Sequence, residues 1–470
     1  MKANATIKDM TRGNPAKLLF FFAVPLMVGN LFQQMYSMVD TIIVGQGVGV
    51  GALASLGAAD WLNWLFIGLA TGLTQGFSIL MAQNYGAGDL KRLKKTVGVS
   101  VTLTVIASVI FVLMAEGLIT VCLNWMNTPE DIYGGAVLYL RIMFAGLPII
   151  LFYNLAASVL RALGDSKSPL YAMILAALIN IGLDLLFVLV LQWGIAGAAA
   201  ATVIAQMFSL FYCLNVMKRI EILRLDREDF YPEKHMTAHL LKLGMPVMFQ
   251  NIVISVGGMV VQSVINKFGF LFVAGFTATN KLYGLLEMAA ISFGSAMTTY
   301  TGQNLGAGKL KRIQNGMKSA VVMAFGTSVA VSILMLVLGR PILSLFVSGD
   351  ASQTEQVLDI AYHYLKVMSY FLVILYALHI YRCALQGLGD TVTPMVSGIA
   401  EFTMRVTAAL LLPKLIGQNG IFYAEIMAWT GAAVILVSAY YIEMHALTSG
   451  RKKLNRTLLP ENSGSDQNGE

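Results

Sequence analysis

Gln83-Asn84-Tyr85-Gly86-Ala87-Gly88-Asp89-Leu90-Lys91-Arg92 returns 220 residues later as Gln303-Asn304-Leu305-Gly306-Ala307-Gly308-Lys309-Leu310-Lys311-Arg312, with eight of ten positions identical. A second pair, Leu163-Gly164-Asp165 before Pro169 and Leu388-Gly389-Asp390 before Pro394, recurs at nearly the same offset. Repeats so far apart point to two homologous halves with a cleft between them, the usual working place of secondary transporters. Around these motifs the chain is strongly apolar. Of 470 residues 57% are hydrophobic and 12% are charged, and mean hydropathy is +0.70. A soluble domain carries about a quarter charged residues, so this composition reads as a polytopic membrane protein.

Apolar runs fall near 17–44, 54–82, 96–122, 135–160, 168–192 and 195–217, then near 239–266, 274–302, 316–347, 357–384, 392–413 and 418–447. The expected fold is an all-α integral membrane protein of twelve transmembrane helices in two six-helix lobes. Even span number makes the repeat parallel, with a pseudo-two-fold axis along the membrane normal. The run from Lys17 to Val44 is too long for a signal peptide and is read as a retained span. The divisions are a segment 1–16, an N-terminal lobe 17–217, a linker 218–238, a C-terminal lobe 239–447 and a disordered tail 448–470.

Basic residues orient the chain. With the N-terminus placed in the cytoplasm, 25 Lys and Arg fall in inside segments, Arg382 among them. Only Lys267, Arg340 and Lys414 fall outside. Both termini are then cytoplasmic, in a multi-pass plasma-membrane protein. The same bias explains the +7 net charge, which gives no reason to invoke nucleic acid. Cys122, Cys213 and Cys383 lack metal or redox spacing and read as packing residues.

Both repeated motifs sit at helix exits, where glycines permit the positive φ of tight turns and the basic pair meets the anionic leaflet. In Leu-Gly-Asp-x-x-x-Pro, Gly ends one span, Asp caps and Pro starts the next. Loop geometry is the expected role of both. Twelve spans with these duplicated turns, together with the stretch from Pro25 to Asp40, resemble the multidrug and toxic compound extrusion (MATE) family over residues 12–447.

Intramembrane charge needs a reason, since it costs several kcal/mol unless paired or hydrated. Asp184 lies deep in the fifth span with Asn180 one turn earlier on the same face, and Thr202 enters the sixth span to similar depth. Asp40 lies toward the outer end of the first span. Together Asp40, Asn180, Asp184 and Thr202 offer hard oxygen ligands for Na⁺, at Asp184, Asn180 and Asp40 above all, or two carboxylates that hold a proton. The resemblance implies that an Asp in the first span and Asn-x-x-x-Asp in the fifth form the N-lobe coupling site of the DinF-like branch. The NorM-like branch places an acidic residue in the tenth span, and Ile360 to Leu385 has none here.

Gln33, Tyr36 and Ser37 beside Asp40, and Asn280, Tyr283 and Glu287 in the eighth span, are candidates to line the substrate cleft. Glu401 and Arg405, at i and i+4, are expected to neutralise each other. Arg141, His363, Lys366, His379 and Glu425 have no partner legible in the sequence. Pro25 and Pro148 invite kinks; bending at Pro25 on protonation of Asp40 or Asp184 is the expected response of the first span. The 26 Met, 24 Phe and 18 Tyr include enough adaptable apolar surface for a wall receiving lipophilic cations.

No nucleotide-binding Gly-x-x-x-x-Gly-Lys-Ser/Thr occurs, so an ion gradient must supply the drive. The expected function is export of lipophilic, cationic organic compounds by H⁺ or Na⁺ antiport, with no other cofactor and with the monomer as the working unit. A flippase of lipid-linked saccharide precursors is the runner-up. An intramembrane enzyme lacks its catalytic set, and a channel lacks a filter-like segment.

Overall fold

The computed structural model describes residues 7–126, 128–344 and 351–450. The tail expected at 448–470 therefore lies outside the described residues beyond Gly450. Thirteen α-helices follow in chain order: α1 Pro15–Gly47, α2 Val50–Ala87, α3 Leu90–Trp125, α4 Glu130–Ala145, α5 Leu147–Ala162, α6 Lys167–Asp184 and α7 Gly194–Lys218. After two short 3₁₀ turns come α8 Lys234–Ile265, α9 Phe270–Gly306, α10 Leu310–Ser344, α11 Ala351–Gly387, α12 Val392–Ile416 and α13 Phe422–Thr448. No strand occurs among the described residues.

Ten helical segments are long and apolar enough to cross a bilayer. The pair α4 and α5, bent by 47° at Gly146, makes an eleventh span. Pro148 stands at the second position of α5, where its missing N–H costs nothing, so the expected kink is realised as a break just before it. At 37 residues α9 is long enough to cross, but Asn280, Lys281 and Glu287 keep it below the same hydropathy threshold. It completes the expected twelve.

The helix ends follow local chemistry. Asn14 caps α1 by accepting from the backbone N–H of Ala16 and Lys17, and Asp89 caps α3 by accepting from Arg92. Gly88 (φ +74°) and Gly308 (φ +69°) take the left-handed turn between paired spans. Asp165 accepts from the N–H of Lys167 and Ser168, and Asp390 from Thr393, so these aspartates are caps as the sequence implied.

Two apolar cores separate the lobes, but α1 and α8 belong to both. Leu19, Phe22, Ala23 and Leu26 of α1 lie in the C-lobe core, while Ile43 and Val44 lie in the N-lobe core. Conversely, Met236, Leu240 and Leu243 of α8 pack in the N-lobe, whereas Val261, Val264 and Ile265 return to the C-lobe. The lobes thus interlock at the face carrying both chain ends, called here the terminal face. Small residues allow the close approach: a Cβ on Gly72 would lie 2.7 Å from Met248 Cα. Pro25 and Pro246, in equivalent positions of the crossing helices, are accommodated without ending either one.

Candidate functional site

The N-lobe polar cluster is built where α6 changes its winding. Asp184 ends regular α-helix, and Leu185–Val190 continues as a π-helical turn, a distortion frequent at functional sites. Asp184 is fully buried and Asn180 nearly so. Asn180 Nδ2 donates to Thr202 Oγ1 of α7 at 3.4 Å. Asp40 of α1 comes within hydrogen-bonding reach of Asp184. What distinguishes the cluster is missing donors: Asp40 Oδ1, both Asp184 oxygens, Asn180 Oδ1 and Gln206 Oε1 are buried and accept no hydrogen bond. Buried acceptors are normally satisfied, and two carboxylates in contact repel unless a proton or cation lies between them. The arrangement is chemically suited to holding either.

Beside this cluster is a cavity of about 20 Å³ lined by Gln33, Tyr36, Tyr153, Met173, Ala176, Gln206 and Ser209. Gln33 and Tyr36 border it from α1, Gln33 exposed and Tyr36 half-buried. Ser37 is exposed on α1, and its carbonyl accepts from Thr41. The neighbour that faces the C-lobe is Gln34, whose side-chain nitrogen would lie 3.0 Å from a Cβ placed on Gly284 of α9.

Four C-lobe charges neutralise one another. Glu401 receives Arg382 at 2.7 Å and Arg405 at 2.8 Å, and Arg405 also reaches Glu425 at 2.9 Å. Two arginines and two glutamates form a neutral chain, more extensive than the expected Glu401–Arg405 pair. Arg382 is only 7% exposed, so its counting with the inside-segment basic residues is corrected: within α11 it is buried against Glu401. His379 Nε2 stands 3.0 Å from Glu287 Oε1, and Tyr283 stacks against Trp429 at 6.2 Å. Both residues expected in the cleft thus face C-lobe partners, while Asn280 on the same helix is exposed. Of the other charges left without partners by the sequence, Arg141 pairs with Glu116 at 3.8 Å and Lys366 lies 4.8 Å over the Tyr362 ring. His363 lies 5.6 Å from the Phe422 ring.

At the terminal face the duplicated motifs meet each other. Gln83 Nε2 donates to Gly387 O at 3.1 Å, and Gln303 Nε2 donates to Ala162 O at 2.8 Å. Each glutamine of one motif therefore binds the Leu-Gly-Asp turn of the opposite lobe. Gly86 and Gly306 sit where their helices touch the backbones of Gln303 and Gln83. Expectation and structure differ here: only Gly88 and Gly308 serve the positive-φ turn, and the first glycine of each pair allows contact between lobes.

The segment before α1 seals the junction. Met10 is fully buried; its N–H donates to Gln303 Oε1, and its carbonyl accepts from Asn304 and Arg312. Toward the opposite face the first turns of α9 border a hollow of about 300 Å³ lined by Phe270, Val273, Ala274, Thr277, Ala278 and Lys281.

The profile described as MatE matches residues 25–186 and 246–411, one match in each lobe. The chain belongs to the MatE family. The probable multidrug resistance protein YpnP of Bacillus subtilis (strain 168) is 29% identical over 415 residues, covering 88% of this chain and 92% of YpnP. A MOP superfamily transporter from Pyrococcus furiosus superposes with a TM-score of 0.88 at 25% identity, covering 94% of this chain and 98% of that one. A MATE crystallised in complex with MaL6 gives 0.87 at 25% identity, covering 94% and 99%. This MATE chain is thus a secondary transporter of the alternating-access type and not an enzyme. Among the described residues, no three His, Cys, Asp or Glu converge as a metal site.

Two residues of this MATE site escaped the sequence reading. Gln206 follows Thr202 by one helical turn, so the spacing that selected Asn180 beside Asp184 would also have found it. Asp60, on α2, is exposed, and the positive charge acting on it is Lys281 of the other lobe. Its signal was a lone carboxylate six residues into the apolar run 54–82.

Proposed function

We propose that this MATE protein exports lipophilic organic cations in exchange for H⁺ or Na⁺, coupled in the N-lobe at Asp40, Asn180, Asp184 and Thr202. The observation that carries the reading is the set of buried oxygens without donors on Asp40, Asn180 and Asp184, directly beside a hydrogen-bonded Asn180–Thr202 pair. The C-lobe carboxylates Glu401 and Glu425 are already paired with arginine, whereas the buried N-lobe oxygens keep unsatisfied sites for an added cation. The acidic residue pattern supports the DinF-like branch within the family. YpnP's description as a multidrug resistance protein supports the substrate class.

The basic residues of the turns at 91–95 and 309–318 support placing the terminal face in the cytoplasm of a plasma-membrane protein. On that orientation the terminal face, sealed between the lobes, supports an outward-facing state. One chain supplies both lobes and the space between them, which supports a working monomer. Residues 17–217 and 239–447 are the proposed lobes in chain order, joined by the linker 218–238.

Coupling requires that cation and substrate favour opposite-facing states. The test is export of ethidium from vesicles with a proton or a sodium gradient imposed separately. The wild-type chain should respond to one of the two, and Asp184→Asn should lose that response while still binding ethidium. Undiminished gradient-driven export by Asp184→Asn would remove the N-lobe coupling site.

A further inference from the structure

Asp60 lies about 15 Å from the outer end of α2, counting ten residues at 1.5 Å. Lys281, eleven residues into α9, lies at about the same depth, and Asp40 is seven residues before the end of α1, about 10 Å in. Trp61 packs at 3.5 Å from the Cβ position of Gly258 on α8, so α2 meets the C-lobe half of α8 at this level, and Lys281 of that lobe acts on Asp60 itself. Gly284, less than one turn from Lys281, meets Gln34 of α1, so that stretch of α9 faces the N-lobe. The charged and titratable groups acting on Asp60 or sharing its surroundings come from three elements: Asp40 on α1, Lys281 on α9 and Tyr139 on α4.

Exposure falls in order along the carboxylates. Asp60 is exposed, Asp40 is half-buried and Asp184 is fully buried. They do not converge as a single three-carboxylate site. The set runs from the space between the lobes to the interior of the N-lobe.

We propose that Asp60 is the entry carboxylate of the coupling site, receiving the incoming H⁺ or Na⁺ from the cleft and passing it to Asp40 and Asp184. This rests on the N-lobe coupling reading and adds its route. For a proton, hydronium in the cleft protonates the Asp60 carboxylate and leaves water. The proton then moves to Asp40, and Asp60 is again an anion. For Na⁺, Asp60 contributes the first carboxylate oxygen as the ion sheds water. Lys281 on the facing lobe balances Asp60 while the route is empty. Its ammonium competes with any cation at that position, so Lys281 limits occupancy of the entry and Asp60 gives the route its sign.

The experiment uses the full chain in proteoliposomes, with ethidium as the probe and initial rates measured across a pH series under a proton or a sodium gradient. Asp60→Asn should slow gradient-driven transport by about tenfold or more and flatten its dependence on pH or Na⁺ on the cleft side, with ethidium affinity unchanged. Asp60→Glu should restore both, and Lys281→Met should steepen the dependence on the driving cation. Wild-type rates and profile in Asp60→Asn, with Asp184→Asn uncoupled, would overturn the entry role and leave the coupling site standing. Wild-type coupling in both variants would overturn the coupling site and the entry role together. The responding gradient tells whether the route carries H⁺ or Na⁺.

Discussion

Gly306→Ala should force the terminal face open. A methyl group there would lie 2.8 Å from the Gln83 carbonyl carbon and 2.9 Å from Ala87 N, with the Gln83 oxygen nearer still. These are backbone atoms on a packed helix, so they cannot rotate away as a side-chain tip can. Ordinary contact begins at 3.4 Å, which leaves a shortfall of 0.6 Å even for the carbonyl carbon. Moving the lobes apart by that amount stretches Gln83 to Gly387 from 3.1 Å to about 3.7 Å, beyond hydrogen-bonding range, and weakens the 2.8 Å bond from Gln303 to Ala162. A buried polar group left unsatisfied costs about 1–3 kcal/mol, so one broken and one weakened bond together cost about 2–4 kcal/mol. At about 1.4 kcal/mol per tenfold, the closed state should lose roughly 30- to 700-fold in relative population. Spin labels at Lys91→Cys and Lys311→Cys, both exposed and next to the paired turns, would read the separation once the three native cysteines are replaced. The distance distribution should move to longer values in Gly306→Ala. It should not move in Gly117→Ala, where nothing lies within 4 Å of the added methyl. An unchanged distribution in Gly306→Ala would refute the claim that these glycine contacts hold the lobes together.

Glu401→Gln removes the carboxylate shared by Arg382 and Arg405 inside the C-lobe. Breaking such a buried pair costs about 3–5 kcal/mol, so the detergent-solubilised protein should unfold at clearly lower temperature, read by thermal-shift fluorescence. Thr202→Val takes away the acceptor of Asn180 while keeping the shape. Gradient-driven ethidium export should weaken by about 2- to 10-fold with melting temperature nearly unchanged, which separates coupling from stability.

The duplicated turns, the helix count and the meeting of Asp40 with the Asn180/Asp184 pair were legible because each depends on local spacing and depth. Gln33 and Tyr36 were harder to place, since helical phase alone does not tell which neighbour a face meets. In this fold Gln33 and Tyr36 border an N-lobe cavity, while Gln34 beside them meets Gly284 of the C-lobe. Arg382 was counted with the inside basic residues because it stands at the end of the tenth span, close to the Leu388-Gly389-Asp390 turn. Only the arrival of Glu401 from α12 reveals it as buried and paired. The embrace of the two Gln-Asn-x-Gly-Ala-Gly motifs was beyond sequence reading for another reason. Its hydrogen bonds join residues 141 and 304 positions apart, and no local periodicity records such a pairing.

Met10 has a consequence for how the molecule is assembled during synthesis. Its backbone partner Gln303 lies 293 residues further along the chain, and Asn304 lies 294 away. While the N-lobe is being inserted, the segment ahead of α1 has no place to dock, and Leu19, Phe22 and Leu26 lack the core they finally occupy. The eighth-made long helix, α9, must arrive before the first helix can settle. Translation order and burial order therefore run in opposite directions at this junction, and separately expressed halves should be recovered as stable protein only when both are made in the same cell.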